Sequence, residues 1–456
     1  MDKTTAKLVS YTNSSSYESL TSSAIHATKR ILLDTLGCAI GAYHSKPSQI
    51  ACKLAMRSSS SPGARVWGSG LTSSVEAAAF ANGVMVRYLD FNDTYMSKEA
   101  SHPSDMIPAI LAVGEACGIS GKQALLAIAT AFEVEMTFAD TCNLFNKGFD
   151  HGFYIGLGTV VGIAQILKLN NEQVANAIAL TCTPNIPTRQ TRSGALTMWK
   201  GCAASASARA AIFAADLAKE GMTGPSEPFE GRHGIWDQVT GPFELPPFGG
   251  GNLPFAIERS AIKYLPTEYN SQLPLYLMLK LAKQVSAESV ESIHVEVYHF
   301  TFTEIGSEPE KWRPTTRETA DHSLPYMLAV ALIDGSISVD SFSEERILDP
   351  QLPPFMDRIK ITENLEFTQR YPISMECRIE IKTKSGASFI ESGSYPKGHE
   401  KNPMTDEEVQ QKFLKLCADQ ISKNQADSII DAVWNIEKMD DISELLTLIC
   451  IDNKQK

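Results

Sequence analysis

The feature that most constrains this chain is a change of period along its length. From residue 22 to about 220 apolar residues recur at helical spacing, and no segment alternates with period two. Past the Pro/Gly-rich stretch 240–254 the pattern switches. Residues 292–298, 375–381 and, after Lys384-Ser-Gly386, 389–392 alternate as strands of an antiparallel sheet do, with helical runs at 272–283 and 323–334 in the same portion. From Thr405-Asp-Glu-Glu408 helical patterning returns, through 421 and again over 426–449. A helical bundle and a sheet bury their apolar faces differently. The order therefore predicts a mainly α fold, a large all-helical domain made discontinuous by an inserted α+β domain.

Within the helical portion, Ile25, Ile31, Leu32, Leu36 and Ile40 mark an amphipathic first helix, and 45–73 reads as a Ser/Pro/Gly-rich link. A small-residue helix over 73–86 follows, then an apolar helix over 107–116 that Ser104 can cap. Long helices are predicted over 121–142, 170–182 and 193–220, the last carrying Met198-Trp-Lys-Gly-Cys202. Their small residues imply close axial approach, and Gly156-Leu-Gly-Thr-Val-Val-Gly162 fits helix packing better than a nucleotide loop.

Charge and cysteine usage exclude several function classes. A net charge of −12 with no long Lys/Arg cluster argues against nucleic acid or an anionic membrane as partner, so an anionic substrate would need a local basic pocket. No run reaches the roughly 18 apolar residues of a membrane span, and Met1-Asp-Lys-Thr-Thr-Ala-Lys leads into a polar stretch. The expected location is cytoplasmic, or the mitochondrial matrix in a eukaryote. The nine cysteines include no C-x-x-C pair, and the nine histidines form no H-E-x-x-H. Neither an iron–sulfur cluster nor zinc is expected, and no cofactor is predicted.

The chemistry concentrates in residues 87–105, a connection between two buried helices that holds Asp90, Asp93, Thr94, His102 and Asp105. His151 stands just before a predicted helix N-terminus, a position that favours anions and a neutral imidazole. Leu89-Asp-Phe-Asn-Asp-Thr94 followed by His102-Pro-Ser-Asp105 resembles the signature of the MmgE/PrpD family. Gly148-Phe-Asp-His151, Met198-Trp-Lys-Gly-Cys202, Ile262-Lys-Tyr-Leu-Pro266 and Thr319-Ala-Asp-His-Ser-Leu-Pro-Tyr326 follow in the family's order.

The resemblance implies a lid over residues 259–399 between helical segments 1–258 and 400–456, a homodimer, and a site between helical domain and lid. It implies catalytic roles for Asp90, His102, His151, Lys263 and Tyr326, and substrate contacts from Asp93, Thr94, Lys200, Arg317 and His322. Asp-His-Gly at 150–152 departs from the decarboxylase-like pattern. The implied activity is a cofactor-independent dehydratase removing water from 2-methylcitrate, and from citrate as a further substrate. The alternatives are cis-aconitate decarboxylation to itaconate, iminodisuccinate epimerisation, or a decayed helical scaffold. The residue types suit elimination, which needs a base, an acid and cations for the carboxylates of a small tricarboxylate.

Overall fold

The computed structural model describes residues 1–250 and 253–451. The chain is mainly α. Nine helices of the first portion are labelled in chain order: α1 Lys3–Ser14, α2 Ser22–Ala42, α3 Lys46–Ala55, α4 Val75–Tyr88, α5 Ile107–Cys117, α6 Gly121–Thr141, α7 Gly152–Ile166, α8 Asn171–Cys182 and α9 Ala203–Lys219. Their starts are written in the sequence. Thr21 Oγ1 accepts from the Ala24 N–H, while Ser120 with Gln123 and Asn170 with Gln173 form reciprocal capping boxes.

Helices α6 and α7 nearly touch. A Cβ on Gly158 would come within 2.6 Å of the Ala131 carbonyl oxygen, and one on Gly162 within 2.8 Å of that of Ala127, so the glycine run is a packing seam. A second seam joins α2 to the helix Asp406–Cys417, where Gly37 and Gly41 receive Phe413 and Leu416. The C-terminal return is thereby locked onto the first long helix.

The inserted portion carries a four-stranded sheet in the order Ile359–Glu363, Val290–Val297, Cys377–Thr383, Ser388–Gly393. Helices Gln272–Leu281 and Leu324–Asp334 belong to the same apolar cluster, which runs from Leu265 to Ile381, whereas the larger cluster runs from Leu8 to Ile262 and resumes at Met404.

Several expectations are corrected. The sheet is mixed, because Ile359–Glu363 pairs parallel to Val290–Val297, with Ile293 opposite Ile359; at five residues that strand is too short for its alternation to stand out. The link at 45–73 contains α3, started by Pro47 in its first turn, and α1 lies in a stretch whose mean polarity hid it. The helix expected over 193–220 begins only at Ala203. Gly194 takes φ +68°, and a single turn, Met198–Gly201, precedes α9. The helix expected over 426–449 stops at Trp434 and resumes as Ser443–Thr447. Ser104 does not cap α5, since the turn Pro103–Met106 intervenes and the Ser104 hydroxyl accepts from the Asn92 amide.

Candidate active site

Helix α4 closes at Leu89, and Asp90 then adopts φ +50°, a left-handed conformation that costs a non-glycine residue on the order of 1–2 kcal/mol. The turn aims the Asp90 carboxylate into a buried cluster of cations. Its Oδ1 accepts from the Arg87 guanidinium and, at 2.9 Å, from Lys263 Nζ; its Oδ2 accepts from Lys200 Nζ at 3.3 Å. Lys263 also donates to the Asp90 carbonyl at 2.9 Å. Burial would raise this carboxyl, but Arg87, Lys200 and Lys263 outweigh it and hold the group well below the usual carboxylate range. For Lys263, which is wholly buried, desolvation wins over the attraction of Asp90 and its pKa falls.

Arg87 also reaches the neighbouring imidazole. His102 Nδ1 lies 2.8 Å from the Asp93 carbonyl, which can only accept, and 3.1 Å from Thr94 Oγ1, so the hydrogen-bond network assigns the proton to Nδ1. Nε2 is left with its lone pair facing Arg87 Nη2 at 2.9 Å. Burial first, then Arg87 and Lys263, push the His102 pKa well below its ordinary value, and the ring is a neutral proton acceptor.

His151 meets His102 edge to face, with ring centroids 5.5 Å apart. Its Nε2 lies 3.2 Å from Arg192 Nη2, and Arg192 Nε donates to Asp150 Oδ2 at 2.6 Å. The other Asp150 oxygen accepts the Gly152 N–H at the start of α7. Burial pushes His151 down to about 3; Asp150 opposes this, and Arg192 and Arg87 reinforce it.

The inserted portion contributes Asp321 and His322. Lys200 Nζ lies 3.1 Å from Asp321 Oδ1 and 3.2 Å from His322 Nδ1, and His322 Nδ1 approaches Asp321 Oδ1 at 2.7 Å. Burial and then Lys200 push His322 down to about 4. Asp90, Asp321 and His322 would also make a metal-binding trio, since their ligand atoms lie within 4.8 Å of one another. The lysine ammonium stands among those same atoms, so the trio already has its cation.

Comparison of the whole chain with known proteins gives its family. The model of the MmgE/PrpD N-terminal domain matches residues 6–247, and that of the C-terminal domain matches 265–438. The chain belongs to the MmgE/PrpD family. It is 27% identical to cis-aconitate decarboxylase of Homo sapiens, covering 94% of this chain and 91% of the relative. It is equally identical to two named 2-methylcitrate dehydratases. The mitochondrial protein of Yarrowia lipolytica matches over 91% of this chain and 84% of the relative, and that of Salmonella typhimurium over 95% of each. Dehydratases and decarboxylases are both lyases, and this MmgE/PrpD chain is an enzyme of that class.

Of the residues singled out in the sequence, the fold brings Asp90, Thr94, His102, His151, Lys200, Lys263 and His322 together. Asp93 is a tie: Oδ1 accepts the Ser104 N–H at 3.0 Å, Oδ2 accepts from Ser260 Oγ at 2.7 Å, and its carbonyl orients His102. Burial raises its carboxyl to about 6, against the hydrogen bonds from Ser260 and Ser104.

Two residues expected in the site are not brought into this cluster. Tyr326 is sealed in the apolar cluster of the insert, its hydroxyl donating to the Ser341 carbonyl at 2.6 Å. Arg317 is a clamp, its guanidinium between the rings of Tyr88 and Phe342 and one nitrogen donating to the Val339 carbonyl. Arg87, Asp150, Arg192 and Asp321 were missed. Each of Asp150 and Asp321 immediately precedes a histidine already singled out, and Arg87 opens the motif three residues before Asp90, which is the signal that could have found them.

Proposed function

We propose that this lyase is a dehydratase that removes water from 2-methylcitrate, and from citrate as a second substrate, to give the cis-aconitate-type product without a cofactor. The observation that carries the reading is a neutral imidazole, His102, with its one lone pair directed into a buried set of cations, Arg87, Lys200 and Lys263. The proton removed in such an elimination lies alpha to a carboxylate, so the base must work beside charge that stabilises the aci-carboxylate.

In this reading a substrate carboxylate draws Arg87 off His102, and the freed Nε2 takes the alpha proton. The electron pair forms the carbon–carbon double bond as hydroxide departs, and Lys200 protonates it to water; the proton held by His102 then passes through solvent to Lys200, which restores both groups. Lys263 keeps Asp90 in place, and Arg192 with His151 meets a second carboxylate. In this reading Lys200 serves as the cation at the position that Asp90, Asp321 and His322 enclose.

Domain limits of 1–258, 259–399 and 400–456, a homodimer through the helical domain, and a cytoplasmic or mitochondrial-matrix setting complete the proposal. No helix among the described residues is long and apolar enough to cross a membrane. Decarboxylation is the second reading, favoured by the similarity to the human decarboxylase. Purified protein given 2-methylcitrate, citrate and cis-aconitate separates the two. Ultraviolet-absorbing product from the hydroxy acids without carbon dioxide supports the dehydratase, whereas carbon dioxide and itaconate from cis-aconitate overturn it. Turnover of none of them by folded protein selects the scaffold.

A further inference from the structure

Directly behind the Asp90 turn lies a buried ion pair that no step of the elimination uses. Lys412, in the helix Asp406–Cys417, is 6% exposed, and Asp34 of α2 is 1% exposed. Lys412 Nζ lies 2.6 Å from Asp34 Oδ1, donates to the Phe91 carbonyl at 2.6 Å, and sits 3.8 Å from the centroid of the Phe91 ring. It reaches there because the Gly37/Gly41 seam, one turn beyond Asp34, lets the two helices approach closely.

An ion pair in such a place needs a reason. Desolvating two charges commonly costs as much as their attraction returns, so an apolar pair of the same volume would stabilise the core as well or better. What an apolar pair could not do is hold a main-chain carbonyl. Asp90 is in the left-handed region, and the chain around it is gripped residue by residue. Its own carbonyl is held by Lys263 and that of Phe91 by Lys412, while the Asn92 amide donates to Ser104 Oγ at 2.9 Å and Asp105 Oδ1 at 3.0 Å. A strained turn persists when its surroundings over-determine it. Lys412 is the grip that comes from the far end of the chain.

We propose that Lys412, braced by Asp34, is a positioning residue that holds the Asp90 turn in its left-handed conformation and so aims the Asp90 carboxylate at Lys200 and Lys263. The role in turnover rests on the dehydratase reading; the role in the turn does not. It gives the C-terminal return a function in the site that it never enters.

The variants are Lys412→Met, which keeps the apolar stem, and the double variant Asp34→Asn with Lys412→Met, which leaves no orphaned charge and stands in should the single one fail to fold. The double variant should melt within a few degrees of the wild type. Its crystal structure should show Asp90 out of the left-handed region, with kcat lowered at least tenfold and KM for 2-methylcitrate changed by less than threefold. A purely structural pair would regain activity together with stability. Wild-type kcat in the folded double variant, or an unmoved Asp90 turn, overturns the proposal. Should the wild type turn over no hydroxy acid, the dehydratase reading falls, and the crystallographic comparison still decides the positioning role.

Discussion

Two motif regions contribute to the site, and they do so differently. In residues 87–105 one buried network gathers Arg87, Asp90 and His102 directly and Asn92, Asp93, Thr94 and Asp105 as ties, while Tyr95 and Ser97 turn to Asp140 and Ser101 to Glu135. In residues 317–326 of the insert only the middle takes part. Asp321 and His322 meet Lys200, whereas Arg317 on one side and Tyr326 on the other turn into packing. Past the end of α4 at Tyr88 the first region is irregular apart from a short hairpin pairing Tyr95–Met96 with Ala100–Ser101, and such a backbone can point side chains inward. The second begins in the short helix Arg317–Ala320 and ends in Leu324–Asp334, and a helix commits residues three or four apart to faces decided by packing. Nearness in a motif is not nearness in the site.

Substitutions in either region test this difference. The largest expected effect is on the loop side: His102→Gln should keep the fold and lower kcat by about 10²–10⁴-fold, the usual contribution of a general base, with little change in KM. Steady-state kinetics on 2-methylcitrate measures it, and an undiminished kcat removes His102 from the chemistry.

Next comes Lys200→Met, which strips the common cation from two buried carboxylates, Asp90 and Asp321. Turnover should fall about 10²-fold or more, as for loss of one preorganised charge in a dry site, and the melting temperature should drop because breaking a buried pair leaves charge uncompensated. A variant as stable and as active as the wild type would mean that the ammonium plays neither part.

A smaller, pH-dependent effect is expected behind the loop. Burial pushes the Glu135 carboxyl up to about 8, against a bond from Ser101 and with the charges of Asp93 and Asp105 adding to it. A raised carboxyl pKa contributes stability that is full below the unfolded value and is lost as pH rises through the folded one. Glu135 therefore stabilises the protein near pH 4 and ceases to do so by pH 8–9. Glu135→Gln should remove that slope between pH 5 and 9 in thermal melts across pH. Parallel wild-type and variant curves would show that Glu135 is already ionised in the fold.

The smallest effect is predicted on the insert side. Tyr326→Phe loses one buried hydrogen bond to Ser341, about 1 kcal/mol of stability, and should leave kcat within twofold. A large kcat loss without unfolding would bring Tyr326 back into the site and erase the contrast between the two regions.

What the sequence made legible follows the same division. Period and capping residues located α2, α6 and α8 closely, because local chemistry decides where they start. The loop motif pointed to Asp90 and His102 through its resemblance to the family signature, since polar residues between apolar helices are otherwise most often solvated or capping. The partners that arrive from elsewhere were harder to read. Lys412 looks like any lysine in an amphipathic helix, and nothing local says that it crosses to Asp34 and Phe91. The break before Ala203, which leaves Lys200 on a separate turn, was hidden by the good helix formers that follow it. Tyr326 and Arg317 were placed in the site by their motif; long-range packing, invisible in one sequence, put them elsewhere.

Proton exchange at the reacting carbon decides whether His102 is the base. With purified protein in deuterium oxide and excess product of the cis-aconitate type, the hydroxy acid formed in reverse should carry one deuterium alpha to a carboxylate in the wild type. With His102→Gln, labelling and unsaturation should slow together. Labelling at the wild-type rate in His102→Gln, or product formed with carbon dioxide and no hydroxy acid, would contradict the account.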